Sequence, residues 1–217
     1  MVLHQMRDGR RSALQPPKSR PADHLSTEVR KALEKELLAA FALTASSHPN
    51  LKARKNKLSL FSSNQKLGEI YVQHLRTADG YYAGIELYTY EAMNFCTMQQ
   101  PPYPSRLLNS SFMSQSSLSE QTKQFGDEIG GIIRTPLPQE ISATAAKIDD
   151  RIAKFYLPKA ENCILGTQAL IADVMAEPDN YAYPLLTGLF AARKNKLDLN
   201  SPICKALLDT KAVFGDK

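Results

Sequence analysis

Gly68-Glu69-Ile70-Tyr71-Val72-Gln73-His74-Leu75-Arg76-Thr77-Ala78-Asp79-Gly80-Tyr81-Tyr82-Ala83-Gly84-Ile85-Glu86-Leu87-Tyr88-Thr89-Tyr90 is the stretch whose reading decides the fold. Apolar and polar residues alternate on both sides of Asp79-Gly80, a dipeptide suited to a two-residue turn that needs positive φ. With that pair at the tip, Tyr71 falls opposite Tyr88, Val72 opposite Leu87, Gln73 opposite Glu86, His74 opposite Ile85 and Thr77 opposite Tyr82. Ile70, Val72, Ile85 and Leu87 then share one face, expected to meet a core. Tyr71, Gln73, Tyr82, Glu86, Tyr88 and Tyr90 share the other. Strand side chains alternate with period two, so one register sorts both strands together. A lone hairpin is marginal in water, and residues 57–62, with Leu58 and Leu60 between polar neighbours, are the expected third strand.

Upstream, Ser26 is placed to cap a helix carrying Val29, Leu33, Leu37, Ala40, Phe41 and Thr44 at steps of three and four, stopped by Ser47-His48-Pro49-Asn50. Residues 1–25 mix Arg, Pro, Ser and Gly without a period and read as an extended arm. Downstream, residues 100–120 are rich in Pro and Ser and read as a flexible loop. Leu118, Thr122, Phe125 and Ile129 then space as a short helix ended by Gly130-Gly131, and Ile132-Ile133 as a short returning strand. Ile141, Ala145, Ile148, Ile152 and Phe155 form a helical stripe up to Pro158. Cys163 to Met175 is apolar nearly all round and reads as one buried helix with Gly166 inside it. Residues 179–197 and a segment capped by Ser201-Pro202, ending before Gly215, complete the helices. The expectation is an α+β fold: a small antiparallel sheet, the hairpin plus one or two strands, packed against a mainly helical C-terminal third. Residues 26–217 form its single domain.

Composition agrees with a packed core, since 43% of the 217 residues are hydrophobic and 23% charged. The longest apolar run, Leu37 to Leu43, is seven residues, against the roughly 20 that a membrane-spanning helix requires. The net charge of +5 is uneven: residues 1–57 hold 12 Lys/Arg against 5 Asp/Glu, whereas the rest of the chain is slightly acidic. Arg7, Arg10, Arg11, Lys18 and Arg20 of the arm, with Arg54, Lys55 and Lys57, are candidates for electrostatic contact with nucleic acid or an anionic surface. The plain alternative is a solvated tail. Residues 53–60 and 192–199 match at seven of eight positions and read as two basic helix ends or two small phosphate clusters. Three scattered cysteines and no apolar stretch after Met1 point to a reducing intracellular compartment such as the cytoplasm, with organelle import as the other reading of the basic N-terminus.

Chemistry-bearing patterns are sparse. His4, His24, His48 and His74 do not pair at metal-ligand spacing, and neither a nucleophile elbow nor a dinucleotide or Walker loop occurs. Gly126-Asp127-Glu128-Ile129-Gly130-Gly131 is glycine-rich, but its carboxylates would repel a phosphate. Cys96, with His74 and Asp79 in the same local unit, is the remaining nucleophile candidate for an enzyme. Neither a cofactor nor a small-molecule ligand is inferred. Tyrosine offers large contact area at small entropic cost and is enriched at interfaces. Tyr71, Tyr82, Glu86, Tyr88 and Tyr90 are therefore the candidate protein-contact residues of a non-catalytic adaptor or scaffold subunit whose partners are other protein subunits. The alternative for the tyrosine face is that helices cover it.

Overall fold

The computed structural model describes residues 21–88, 91–98, 111–119, 123–126 and 131–209. Its architecture is α+β: a six-stranded, open antiparallel sheet with helices packed on one face. The chain runs α1 (Pro21–Ser46), β1 (Leu51–Arg54), β2 (Lys57–Ser62), β3 (Gln65–Leu75), β4 (Gly80–Leu87), α2 (Glu91–Met98), β5 (Met113–Ser116) and β6 (Ile133–Arg134). It continues through α3 (Ile141–Arg151), a π turn (Ile152–Tyr156), α4 (Leu157–Leu165), α5 (Ala169–Ala176), α6 (Pro184–Lys194) and α7 (Pro202–Asp209). Helix α1 begins at Pro21 rather than after Ser26, because a proline at a first turn loses no helical hydrogen bond.

The strands form a meander, β1-β2-β3-β4, with β5 and β6 both paired to β4. Ser63 and Asn64, at φ 45° and 71°, make the two-residue turn between β2 and β3, the twist-matched kind for a tight hairpin. The β3–β4 turn departs from the expected one. Arg76 to Asp79 form a four-residue turn, and Gly80 is already in β4 opposite Leu75. Tyr71 therefore faces Gly84, Gln73 faces Tyr82 and Ile70 faces Ile85. The pairing is displaced by four residues from the expected register. An even displacement leaves every side chain on its face, so the sorting into core and outer faces holds. Gly80 serves β6 instead of the turn: a Cβ there would lie 2.4 Å from Ile132 Cγ2 and 2.8 Å from the Ile133 carbonyl.

Leu58, Ile70, Val72, Ala83, Ile85 and Leu87 line the inner face and are buried with Leu33, Leu37 and Phe41 of α1 and Ile148 of α3 in one core. Each of these Leu, Ile, Val and Phe side chains contributes roughly 1.5–3 kcal/mol relative to exposure. Thr44 Oγ1 donates to Asp149 at 3.0 Å, fixing the end of α1 against α3.

Three helical expectations are corrected. Pro158 does not separate two helices: Leu157 N–H bonds to the Ile152 carbonyl across the π turn, so the helix shifts its ladder by one residue and continues from α3 into α4. Gly166 lies at a helix end, in the left-handed region at φ 60°, and Thr167 N–H returns to the Asn162 carbonyl at 3.1 Å. The apolar run Cys163–Met175 is thus two helices. Of the helix expected over Leu118–Ile129, the described residues form a 3-10 turn at Ser117–Ser119 and an irregular stretch at 123–126 around a fully buried Phe125, while residues 120–122 and 127–129 lie outside the described residues. Within the stretch read as a flexible loop, Met113–Ser116 is a strand, because Phe112, Met113, Gln115 and Ser117 bury and draw the backbone against β4.

Candidate functional site

The sheet has a second face, turned away from the helical core. On it β1 presents Lys52 and Arg54, β2 presents Lys57 and Ser59, β3 presents Glu69, Tyr71 and Gln73, β4 presents Tyr82, Gly84 and Glu86, and β5 presents Ser114 and Ser116. Phe61 and Lys66 pair past the irregularity at Leu60/Phe61, and Tyr88 follows β4. Tyr71, Tyr82, Glu86 and Tyr88 are half-buried among one another, and Gln73, Lys52 and Arg54 are exposed. The alternative in which helices cover the tyrosines is excluded for these three.

The side chains form a connected lattice. Glu69, only 7% exposed, takes ion pairs from both Lys57 and Lys66. Burial pushes its carboxyl pKa up, but the hydrogen bonds and charges of the two lysines outweigh this and hold it below the usual value. Tyr82 Oη donates to Gln73 and Tyr88 Oη donates to Glu86 at 2.8 Å. Tyr71 and Tyr82 meet edge to face with centroids 6.2 Å apart. Burial, then the charge of Glu86, pushes the Tyr71 phenol up to about 12. Burial and the bond to Glu86 raise Tyr88 likewise. Gly84 is required beneath Tyr71, since a Cβ there would be 2.4 Å from the ring carbon bearing the hydroxyl. An aromatic ring folded over a cross-strand glycine covers backbone that the glycine leaves bare.

Three lysines lie over aromatic rings: Lys52 over Phe61 at 4.6 Å, Lys57 over Tyr71 at 6.0 Å and Lys66 over Tyr88 at 5.6 Å from the centroids. The sequence reading missed Lys52, Phe61, Lys66 and Glu69 as members of this face. Period-two alternation outward from Tyr71 through β2 and β1 was the signal that would have found Lys52 and Glu69. Tyr90 and the arm residues Arg7, Arg10, Arg11, Lys18 and Arg20 lie outside the described residues. Arg54 and Lys55 are exposed at the β1–β2 turn, and Lys57 is engaged with Glu69.

The first basic octapeptide copy, residues 53–60, is a β-hairpin and not a helix end. Lys55 holds φ 54° in its turn, and the Asn56 amide donates to the Val72 carbonyl. The second copy does end a helix, α6, where the Asn195 amide donates to the Ala191 carbonyl at 2.7 Å and the Gly166 carbonyl at 2.9 Å.

The candidate nucleophile fares poorly. Cys96 is fully buried, 4.0 Å from Thr187 Oγ1 on α6, and burial pushes its thiol up to about 12, the opposite of thiolate activation. His74 and Asp79 do meet, at the hairpin end and away from Cys96. His74 Nε2 is 3.2 Å from Asp79 Oδ1 and 3.1 Å from Thr135 Oγ1, which itself donates to Asp79 at 2.9 Å. This cluster ties the β3–β4 turn to the end of β6. Among the described residues no group of three His, Cys, Asp or Glu side chains gathers at metal-ligand distance, and no helix is long and apolar enough to cross a membrane.

Comparison with known proteins adds no identity: no family model, curated protein or solved structure matches the chain.

Proposed function

We propose that the chain is a non-catalytic adaptor or scaffold subunit that binds other proteins within a larger assembly through the outer face of its sheet. The observation that carries this is Tyr71, Tyr82 and Tyr88 held half-exposed in a hydrogen-bonded lattice on the face away from the core. Rings already fixed in place lose little entropy when a partner covers them, which is what makes tyrosine an efficient contact residue. Affinity capture from the native cell tests it. The wild-type chain should retain stoichiometric protein partners at high salt, and a Tyr82→Ala/Tyr88→Ala double variant should lose them. Capture unchanged by the double substitution refutes the assignment.

A second reading, attachment to nucleic acid or an anionic surface, draws support from the exposed Lys52, Arg54 and Lys55 at one corner of the face. It predicts affinity for single- or double-stranded oligonucleotides that falls steeply with salt, with a slope that flattens when residues 1–20 are removed. A cysteine nucleophile would need Cys96 to be accessible, and its burial weighs against that.

A further inference from the structure

From the charges on the outer face we infer that its partner is an acidic, extended polypeptide segment, docked with carboxylates over the β1–β2 side and apolar side chains over the tyrosines. The inference rests on the protein-binding reading and specifies its chemistry.

Charge is distributed unequally across the face. Lys52, Arg54, Lys55 and Lys57 gather on β1, β2 and the turn between them, and Lys66 lies at the start of β3. Its two carboxylates are both committed inside the lattice: Glu69 sits buried under Lys57 and Lys66, and Glu86 accepts from Tyr88. Lys52, Arg54 and Lys55 are exposed, so the surplus positive charge faces solvent. An approaching carboxylate meets these exposed ammonium and guanidinium groups at the β1–β2 corner.

The aromatic rings select the kind of anion. A single-stranded nucleic acid binds a sheet by stacking bases on open ring faces. Here Phe61, Tyr71 and Tyr88 each carry a lysine over the ring. A base would have to displace that lysine, whereas a side-chain carboxylate docks on it as it stands. The edge-to-face packing of Tyr82 on Tyr71 further restricts flat stacking. Between the lysines and Tyr82, Gln73 on β3 offers a hydrogen bond, and beyond β4 Ser114 and Ser116 on β5 offer others, neighbouring strands lying about 4.8 Å apart. Crossing from β1 to β4 covers three such spacings, about 14 Å, or some four to five extended residues at about 3.3 Å each.

The test uses the full chain and three labelled probes in fluorescence anisotropy: a decapeptide alternating Glu and Leu, its Gln/Leu counterpart, and a twelve-nucleotide oligothymidylate. The Glu/Leu peptide should bind at least tenfold more tightly than the Gln/Leu peptide and the oligonucleotide, with affinity falling as salt screens the contact. Lys52→Gln/Arg54→Gln/Lys55→Gln, all exposed positions, should weaken the Glu/Leu peptide at least tenfold while leaving the thermal midpoint in place. Equal binding of the two peptides, tighter binding of oligothymidylate, or unchanged affinity in the triple variant overturns the inference. Partner capture separates the two levels. Partners lost from Tyr82→Ala/Tyr88→Ala but kept by the triple variant overturn the acidic-segment inference and leave the adaptor reading intact. Capture of no protein by the wild-type chain overturns both.

Discussion

Gly84→Ala is the sharpest probe of the outer face. Gly84 has no left-handed backbone, so alanine fits its φ and ψ, and by itself the change would stabilise by ~0.4–1 kcal/mol through the unfolded chain. The obstacle is the Tyr71 ring, whose nearest atoms would lie 2.4, 2.5 and 2.9 Å from the new Cβ. The ring must swing off the strand. Overpacking costs roughly 1–3 kcal/mol, and loss of the edge-on contact with Tyr82 about 0.5–1.5 kcal/mol. The net expectation is destabilisation by about 2 kcal/mol, within a span of about 0.5–4 kcal/mol, and 2 kcal/mol is about 4–8 °C in Tm for a chain of this size. Urea unfolding of Gly84→Ala, Tyr71→Ala and the double variant reads the coupling directly. With Tyr71 removed, Gly84→Ala should change sign and stabilise by ~0.4–1 kcal/mol. Ultraviolet titration gives a second readout. Tyr71 ionises at about 12 in the folded chain, so its share of stability is present below pH 10 and lost as pH rises toward 12. In Gly84→Ala that phenol should titrate nearer 10, the ordinary value. Additive single effects and an unmoved titration would refute the ring-over-glycine account.

Three further outcomes are expected. Glu69→Gln should cost about 1–2 kcal/mol at pH 7, modest because its lysine partners are partly exposed. The Glu69 pKa is lowered on folding, so its contribution is present above about pH 4.5 and lost as pH falls below it. Wild type and Glu69→Gln should therefore converge as pH falls through the lowered pKa of Glu69, and a constant gap argues against the ion pair. Gly166→Ala places a Cβ at φ 60° and 2.4 Å from Phe190 Cε1, which should destabilise by about 2–4 kcal/mol in denaturant titrations, since strain and overpacking add. Cys96, Cys163 and Cys204 are all buried, so none should react with iodoacetamide at pH 7.5 until denaturant opens the fold, and rapid labelling of Cys96 under native conditions would revive the nucleophile reading.

The face assignment of the hairpin was legible because parity survives a slip of four residues. Its register was not, because Asp79-Gly80 satisfies the short-turn pattern while the actual determinants are distant. Thr135 binds Asp79, and β6 presses on Gly80. Neither is visible from the local sequence. The stripe of α1 was legible because burial of Val29, Leu33, Leu37 and Phe41 keeps a helical period. The split at Gly166 was missed because an apolar run hides a boundary that backbone handedness sets. The two octapeptides make the limit concrete. Ala-Arg-Lys-Asn-Lys-Leu bends between strands at residues 53–58 and closes a helix at residues 192–197. Asparagine satisfies a stray carbonyl in both settings, and it is the flanking chain that decides which carbonyl is available.

The bond from Thr44 to Asp149 joins residues 105 positions apart. During synthesis at roughly 5–20 residues per second, the C-terminal end of α1 leaves the ribosome about 5–20 s before the helix it rests on. Through that interval the β1–β4 meander can pair, but Leu33, Leu37 and Phe41 have only part of their final cover, because α3 has yet to be made. A nascent chain halted near residue 140 would present that greasy stripe to its neighbours, so this protein's exposure to chaperones and to aggregation is set by the order in which its helices are translated.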